Sequence, residues 1–144
     1  MNNKKNILEI AQNSILSQSK SIAKLTDFLD DNFINATESI YNCKGRLVVT
    51  GIGKSAIIAQ KIVATMNSTG TPALFLHASE AIHGDLGMVQ ADDIIICISK
   101  SGNSPEIKVL VPLLKRFGNT LIAITGNMTS FLAKESHYVL NTTV

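Results

Sequence analysis

Two short segments of the chain combine glycine, serine and lysine residues in a pattern that suits anion binding. The first is Gly51-Ile52-Gly53-Lys54-Ser55, and the second is Ser99-Lys100-Ser101-Gly102-Asn103-Ser104. Glycine lets a backbone approach a ligand closely, while hydroxyls, free N–H groups and a helix N-terminus all favour an anion. Two such segments in one small domain predict a phosphorylated ligand that is held from two sides.

Neither segment completes a nucleotide-binding motif. Gly51-x-Gly53-x-x-Ala56 fits a loose dinucleotide fingerprint, but the next apolar run ends at His77 without the acidic residue that ribose recognition needs. Gly53-Lys54-Ser55 matches the end of a P-loop, but Val48 stands where the first glycine of that motif would fall. We therefore expect a phosphate site without a nucleotide.

Three side chains near these segments could move protons or stabilise charge, and each has a structural alternative. Lys54 begins a helix, where a cation is slightly unfavourable, and this favours a functional role. Glu106 lies in the first turn of the next helix, where a carboxylate could act as a base or simply stabilise the helix. His83 suits proton transfer near neutral pH, although a single loop histidine is more often structural.

The remaining candidates are less specific. His77 ends an apolar run and could line the same cleft as the two loops. Ser99, Ser101 and Ser104 could each cap a helix, and Ser104 is the best cap because Pro105 follows it. Three serines within six residues nevertheless exceed what one cap needs. The histidines and aspartates do not have the spacing of a metal site, so we expect no metal.

The elements that position these residues follow from hydrophobic periodicity. Residues 5–41 predict helix, since apolar residues from Ile7 to Phe33 recur about every 3.6 positions. Asp30-Asp31-Asn32 divides this region into two helices, with Asn32 or Asn35 as the cap. We expect the apolar stripe to pack against a second subunit, and the alternative is packing on the chain's own sheet.

From residue 45, short apolar runs alternate with helical segments. The predicted strands are Leu47–Thr50, Ala73–Leu76, Ile94–Ile98, Leu121–Thr125 and Tyr138–Leu140. The predicted helices are Ser55–Met66, Ser104–Phe117 and a short one near Thr129–Lys134, with a helical turn at Ser79–His83. Continuous β-branched runs suit strands that are buried on both faces of a parallel sheet. The pattern predicts a three-layer, doubly wound α/β fold of about five strands, with ligands at their carboxyl ends.

Composition limits the class of protein. The chain has 144 residues, of which 45% are hydrophobic and 17% charged, with a net charge of +2. These values predict one packed domain over 1–144, with a helical segment 1–44 and an α/β core 45–144, and they argue against nucleic acid or a membrane as a partner. Cys43 and Cys97 form no CxxC pattern, so we expect reduced thiols in a cytoplasmic protein.

Four segments together resemble a known family. They are the two loops above, extended through Glu106-Ile107, together with Ser68-Thr69-Gly70-Thr71-Pro72 and His83-Gly84-Asp85-Leu86-Gly87-Met88. The combination resembles the sugar isomerase (SIS) domain, and more narrowly the arabinose-5-phosphate isomerases, over nearly the whole chain. The resemblance implies interconversion of ribulose 5-phosphate and arabinose 5-phosphate for Kdo, lipopolysaccharide or capsule synthesis, without a required metal or organic cofactor.

The resemblance also implies roles for particular residues. Ser99, Ser101 and Ser104 match the family's phosphate-binding loop, and Lys54, His83 and Glu106 match positions implicated in catalysis. Glu106 is then the base, Lys54 its electrostatic partner and His83 a proton shuttle or ring-opening group, although Glu106 and His83 could exchange roles. We also assign ligand binding to the remaining polar and glycine positions: Gly51, Gly53, Ser55, His77, Lys100, Gly102 and Asn103.

The resemblance leaves two other functions open. A non-catalytic sugar-phosphate sensor would need the serine loop but not Lys54, His83 and Glu106 together, and a hexulose-phosphate isomerase would share all of them. The resemblance implies a homotetramer with sites shared between subunits. Family members continue into a helical tail with a further catalytic histidine and into a pair of CBS modules, and we expect both to be absent from the sequence, which ends at Val144.

Overall fold

The computed structural model describes residues 2–143, apart from the side chains at positions 2, 3 and 5. Within this range five parallel strands form one sheet in the order β2-β1-β3-β4-β5. The strands are β1 Leu47–Gly51, β2 Ala73–His77, β3 Ile94–Ile98, β4 Thr120–Thr125 and β5 Tyr138–Asn141. The helices are α1 Asn2–Lys24, α2 Asp31–Tyr41, α3 Lys54–Ser68, α4 Ala78–Ile82, α5 Pro105–Arg116 and α6 Phe131–Glu135, with 3₁₀ turns at Leu25–Phe28 and Asp85–Met88.

Helices cover both faces of the sheet. Side chains alternate between the faces along each strand, so Val48 of β1 packs beneath α4, α5 and α6 while its neighbour Val49 packs beneath α2 and α3. The run Ile94–Ile98 is buried throughout, as expected for a strand with helices on both sides. The prediction of a three-layer, doubly wound α/β fold is confirmed, and each predicted strand lies within one residue of its observed bounds.

The predicted division of the N-terminal helical region is confirmed, but the predicted cap is wrong. Asp30 is the N-cap of α2, because its carboxylate accepts hydrogen bonds from the N–H groups of Asn32 at 2.9 Å and Phe33 at 3.4 Å. The Asn32 side chain instead accepts a hydrogen bond from the Val139 N–H at 3.3 Å, which joins α2 to β5. A contact over that sequence separation has no local signature.

The apolar stripe of the first helices is only partly covered by the chain itself. Leu25 and Phe28 are half-buried and line a cavity of about 190 Å³ together with Ile124 and Leu140. The apolar side chains of α1 are each between 57% and 68% exposed: Ile7, Leu8, Ile10, Ile15, Leu16 and Ile22. Packing on the chain's own sheet therefore accounts for the end of the stripe and not for α1.

Among the described helices, none has the length and apolar character that crossing a membrane requires.

Candidate functional site

The two polar loops, 51–55 and 99–104, leave neighbouring strands at the same edge of the sheet. Gly51 of β1 pairs in register with Ile98 of β3 on one side and with His77 of β2 on the other. Adjacent strands lie about 4.8 Å apart, so the loops start side by side. The connection through α3 crosses one face of the sheet and the connection through α5 crosses the other. The connections diverge between β1 and β3, and this topological switch point, which we call the β1–β3 crevice, is the usual ligand site of this architecture.

The loop after β1 owes its shape to two glycines. Gly53 is the N-cap of α3 with φ 58° and ψ −127°, a backbone conformation that residues with a Cβ rarely adopt. A Cβ on Gly51 would approach the backbone carbonyl carbon of Ser55 to 3.0 Å. Among the described residues no side chain caps α3, so the first N–H groups of this helix are potential donors to an anion. Lys54, the first residue of α3, is exposed.

Residues Ser99–Ser104, the serine loop, orient two hydroxyl oxygens through backbone hydrogen bonds. Ser99 Oγ accepts from the Gly102 N–H at 3.1 Å, and Ser101 Oγ accepts from the Asn103 N–H at 3.3 Å. A hydroxyl that accepts one bond still has its own proton to donate. Ser99 and Ser101 are thus placed as donors whose oxygens are already fixed in position.

The Ser104 side chain does not cap α5, although its sequence context predicts that it does. It occupies the N-cap position of α5, with Pro105 at the first helical position, but its side chain makes no capping bond. Its hydroxyl oxygen is buried and has no partner within the described chain. Buried polar groups are normally hydrogen-bonded, and an anion at this helix N-terminus would supply the missing partner. The unpartnered Ser104 hydroxyl is therefore a candidate donor to a ligand.

Thr50 is a candidate that the sequence did not indicate. Its hydroxyl is fully buried near the carboxyl end of β1 and has no partner among residues 2–143. Thr50 pairs in register with Cys97 of β3, on the face of the sheet that α5 covers. A single threonine in an apolar strand matches no sequence motif. Whether its hydroxyl has a hydrogen-bond partner can be seen only in the folded structure.

Three residues of the serine loop are directed toward the rest of the protein. Lys100 lies along Gly126 and donates to the Thr142 carbonyl at 3.5 Å. The Asn103 carboxamide accepts from the Phe131 N–H at 2.9 Å. Gly102 has φ 63°, and a Cβ there would come within 2.6 Å of Ser130 Cβ. These contacts shape the loop, and the predicted ligand contacts of Lys100, Gly102 and Asn103 remain predictions.

Lys54 and Glu106 begin helices on opposite faces of the sheet. Glu106 is half-buried in the first turn of α5, and Lys54 is exposed in the first turn of α3. The two helices whose first turns contain these residues therefore start on either side of the β1–β3 crevice. This arrangement can place a base and a charge-stabilising group on two sides of one bound molecule.

The two candidate histidines have different environments. His77 is half-buried at the end of β2, where its Nδ1 accepts from the Ser79 N–H at 3.3 Å and caps α4. Its ring meets Phe75 edge-on, with centroids 6.2 Å apart. His83 is exposed at the end of α4, and no hydrogen bond joins it to either loop within residues 2–143. The fold brings His77 beside Gly51 and leaves His83 at the surface.

Sequence comparison decides the family. The model of the SIS domain family matches residues 39–144, which include both loops and the whole sheet. The chain belongs to the SIS domain family.

Relatives of this SIS domain are sugar-phosphate isomerases by name. The chain is 49% identical over 139 residues to a probable arabinose 5-phosphate isomerase of Haemophilus influenzae, covering 96% of this chain and 41% of the relative. It is 45% identical over 134 residues to arabinose 5-phosphate isomerase KdsD of Pseudomonas aeruginosa, covering 93% and 41%. The chain thus spans about two fifths of the length of these relatives.

A solved structure shares the fold of this SIS domain closely. The structure of E. coli CFT073 c3406, in complex with arabinose 5-phosphate, matches with a TM-score of 0.91 and 38% sequence identity. The match covers 97% of this chain and 74% of that one. The resemblance to the arabinose-5-phosphate isomerase branch of SIS domains, which the sequence motifs indicated, is confirmed.

The cysteines of the SIS domain are not arranged for catalysis or metal binding. Burial raises the pKa of the Cys97 thiol to about 12, so the thiol stays protonated and is a poor nucleophile at neutral pH. Cys43 is half-buried and reduced. In the part of the chain that the structure describes, no three His, Cys, Asp or Glu side chains come together as a metal site would require. The expected independence from metals remains a prediction.

Proposed function

We propose that this SIS domain catalyses the interconversion of D-ribulose 5-phosphate and D-arabinose 5-phosphate. The observation that carries the proposal is the serine loop at the β1–β3 crevice, where the buried Ser104 hydroxyl at the N-terminus of α5 has no partner in the described part of the chain. The names of relatives at 45% and 49% identity support this substrate over other sugar phosphates. In the proposed role the protein acts in the cytoplasm and supplies a precursor for Kdo, and hence for lipopolysaccharide or capsule.

The phosphate group binds at the serine loop. Ser99, Ser101 and Ser104 donate their hydroxyl protons, and the first turns of α3 and α5 add backbone N–H groups with the favourable end of each helix dipole. Because the hydroxyl oxygens of Ser99 and Ser101 are already held by backbone N–H groups, binding costs little ordering of these side chains. The phosphate anchors the sugar with its carbonyl end toward Lys54 and Glu106.

The reaction moves one proton between two adjacent carbons through a cis-enediol(ate). Glu106 takes the proton from C1 of the ketose, the C1–C2 double bond forms, and negative charge develops on the C2 oxygen. Lys54 stabilises that charge across the crevice. Returning the proton to C2, with movement of a hydroxyl proton from O1 to O2, yields the aldose. This assignment is supported by the positions of Lys54 and Glu106 in the first turns of α3 and α5.

His83 is the proposed carrier of the hydroxyl protons or the group that assists ring opening. Its exposure at the end of α4 leaves it accessible to a neighbouring molecule of the same chain. We propose that subunits associate as a homotetramer through the exposed apolar side chains of α1, and that a histidine of a neighbouring subunit completes the site. The roles of Glu106 and His83 could be exchanged, and substitution of each separates the two assignments.

A coupled isomerase assay tests the proposed function. The chain is assayed with arabinose 5-phosphate, ribulose 5-phosphate and hexose phosphates, beside a chimera that adds the C-terminal part of the Haemophilus influenzae relative. Turnover of the pentose phosphates by either protein is the expected result. Binding without turnover by both would favour a non-catalytic module, and turnover of hexose phosphates alone would favour a hexulose-phosphate isomerase.

A further inference from the structure

The side chain of Asn103 is engaged with the protein at both ends. Its Oδ1 accepts from the Phe131 N–H at 2.9 Å, and its Nδ2 donates to the Ser101 carbonyl at 3.2 Å. Its own backbone N–H donates to Ser101 Oγ at 3.3 Å. Asn103 therefore holds both the backbone and the hydroxyl of Ser101 while it is attached to the first residue of α6.

The attachment belongs to a larger contact between the serine loop and residues 125–132, which we call the β4–α6 segment. The Lys100 carbonyl accepts from the Gly126 N–H at 3.1 Å and from Thr125 Oγ1 at 3.3 Å. The Gly102 carbonyl accepts from the Leu132 N–H at 3.0 Å. This segment holds the loop from the side of β4, away from the crevice and from β1.

Ser101 depends on Asn103 more than the other two serines do. Ser99 is buried and its N–H is held by the Ile124 carbonyl, while Ser104 is fixed at the start of α5. Ser101 is exposed, and its oxygens are held by Asn103. Loss of the Asn103 side chain would remove the hydrogen bond to the Ser101 carbonyl and the attachment to Phe131. The Ser101 hydroxyl would then be held only by a backbone N–H that is itself no longer anchored, while the contacts of the other two serines stay in place.

We infer that Asn103 is a positioning residue of the anion site, which acts on the ligand through Ser101 and not by direct contact. The inference rests on the proposed function for the class of ligand. The Oδ1 atom and one of the two Nδ2 protons already have protein partners, so at most one N–H of the carboxamide is left for direct contact with a phosphate. A preorganised Ser101 hydroxyl binds an anion more tightly than a mobile one, because less freedom is lost on binding.

A double-mutant cycle with inorganic phosphate as the probe tests the inference. Asn103→Ala should weaken phosphate binding by about tenfold, the effect of roughly one hydrogen bond. Ser101→Ala should weaken it at least as much, and the double variant should bind no more weakly than Ser101→Ala alone. If the two losses multiply instead, Asn103 contacts the anion by itself and the inference is wrong. Asn127→Ala, which alters the β4–α6 segment without touching the serine loop, should bind phosphate like the unaltered chain.

Amide hydrogen exchange provides a readout that does not depend on any ligand. In Asn103→Ala the Phe131 amide should exchange faster, while in Asn127→Ala its rate should stay unchanged. An unaltered Phe131 rate in Asn103→Ala would overturn the attachment and with it the inference. If the unaltered chain binds no phosphate, the proposed function fails on that result alone. Asn103 then has no anion to act on, so the inference fails as well, although faster Phe131 exchange would still identify the attachment as structural.

Discussion

The carboxylate of Asp93 lies almost completely buried against Arg46, which donates to it from a side-chain Nη2 at 2.7 Å and from its backbone N–H at 2.7 Å. Asp93 also accepts from the Gln90 N–H at 2.8 Å, and Arg46 donates to the Met88 carbonyl at 2.7 Å. The pair joins the starts of β1 and β3, whose other ends carry the two loops. It therefore stabilises the position of β1 relative to β3 at the amino ends of these strands, opposite the ends that carry the loops.

Asp93→Asn should lower the free energy of unfolding by about 2–3 kcal/mol at pH 7, because it removes a buried charge that Arg46 and the Gln90 N–H bind. Burial opposes ionisation of Asp93, but the hydrogen bonds from Arg46 and Gln90 outweigh it and lower its pKa. The stabilisation is therefore present above the unfolded pKa of about 3.9 and is lost as the pH falls through the lower folded value. Urea unfolding of Asp93→Asn and of the unaltered chain, at pH values from 7 down to acid, measures the loss of stability and its pH dependence. The control is Asp92→Asn, which removes the exposed carboxylate of the neighbouring residue. An equal loss in both variants would contradict the assignment.

Ser104→Ala should weaken sugar-phosphate binding by about tenfold or more without lowering stability. Its hydroxyl makes no hydrogen bond in the described chain, so its removal leaves no protein group unpaired, while a charge-assisted contact to phosphate is lost. Ser130→Ala is the matched control, since Ser130 does cap α6 by accepting from the Ala133 N–H at 3.2 Å, and its loss should cost about 1 kcal/mol. Calorimetric titration and thermal unfolding of both variants separate the two roles. A destabilised Ser104→Ala with normal affinity would identify Ser104 as a cap.

Glu106→Gln should reduce turnover by about 10²-fold or more while substrate still binds, because the amide keeps the size of the side chain but cannot accept the proton. The substitution also removes a favourable charge at the N-terminus of α5. Glu80→Gln, an exposed acidic residue in the first turn of α4, controls for that effect. Steady-state kinetics on both variants give the answer. Near-normal turnover of Glu106→Gln would restrict Glu106 to helix stabilisation and favour His83 as the base.

Self-association should depend on the apolar side chains of α1. Ile15→Glu combined with Ile22→Glu should shift the chain toward monomer, because both side chains are more than half exposed in the single chain and need cover in an assembly. Gln12→Glu with Gln18→Glu adds the same charge to the same helix at polar positions and should leave assembly intact. Light scattering at micromolar concentration distinguishes these cases. A monomeric unaltered chain would exclude both the assembly and the shared site.

Activity should survive exhaustive chelation, since neither a metal nor an organic cofactor has a part in the proposed proton transfer. The relevant measurement is turnover after treatment with a chelator, followed by addition of single divalent metals. Loss of turnover that one metal restores would refute this prediction.

The elements of the fold were predictable because their signals are local. Periodic apolar residues, β-branched runs and glycines before helices are visible within windows of a few residues. The Ile94–Ile98 run needed no further information to be recognised as a buried strand, and the glycines around Lys54 indicated a loop that approaches a ligand. The same local reasoning misplaced the cap of α2, because Asp30, Asn32 and Asn35 are all good caps by type. Only the path of the chain selects Asp30.

From the sequence alone came the strands, the helices and the two polar loops, along with the expectation of a phosphate site between them. The tertiary structure decided which protein groups the side chains of the serine loop contact. Asn103 is hydrogen-bonded to Phe131, 28 residues away, and Lys100 to Thr142, 42 residues away, whereas the Ser104 hydroxyl has no partner among residues 2–143. Hydrogen-bond partners at such separations are set by the packing of whole elements, so residue type and spacing cannot assign them.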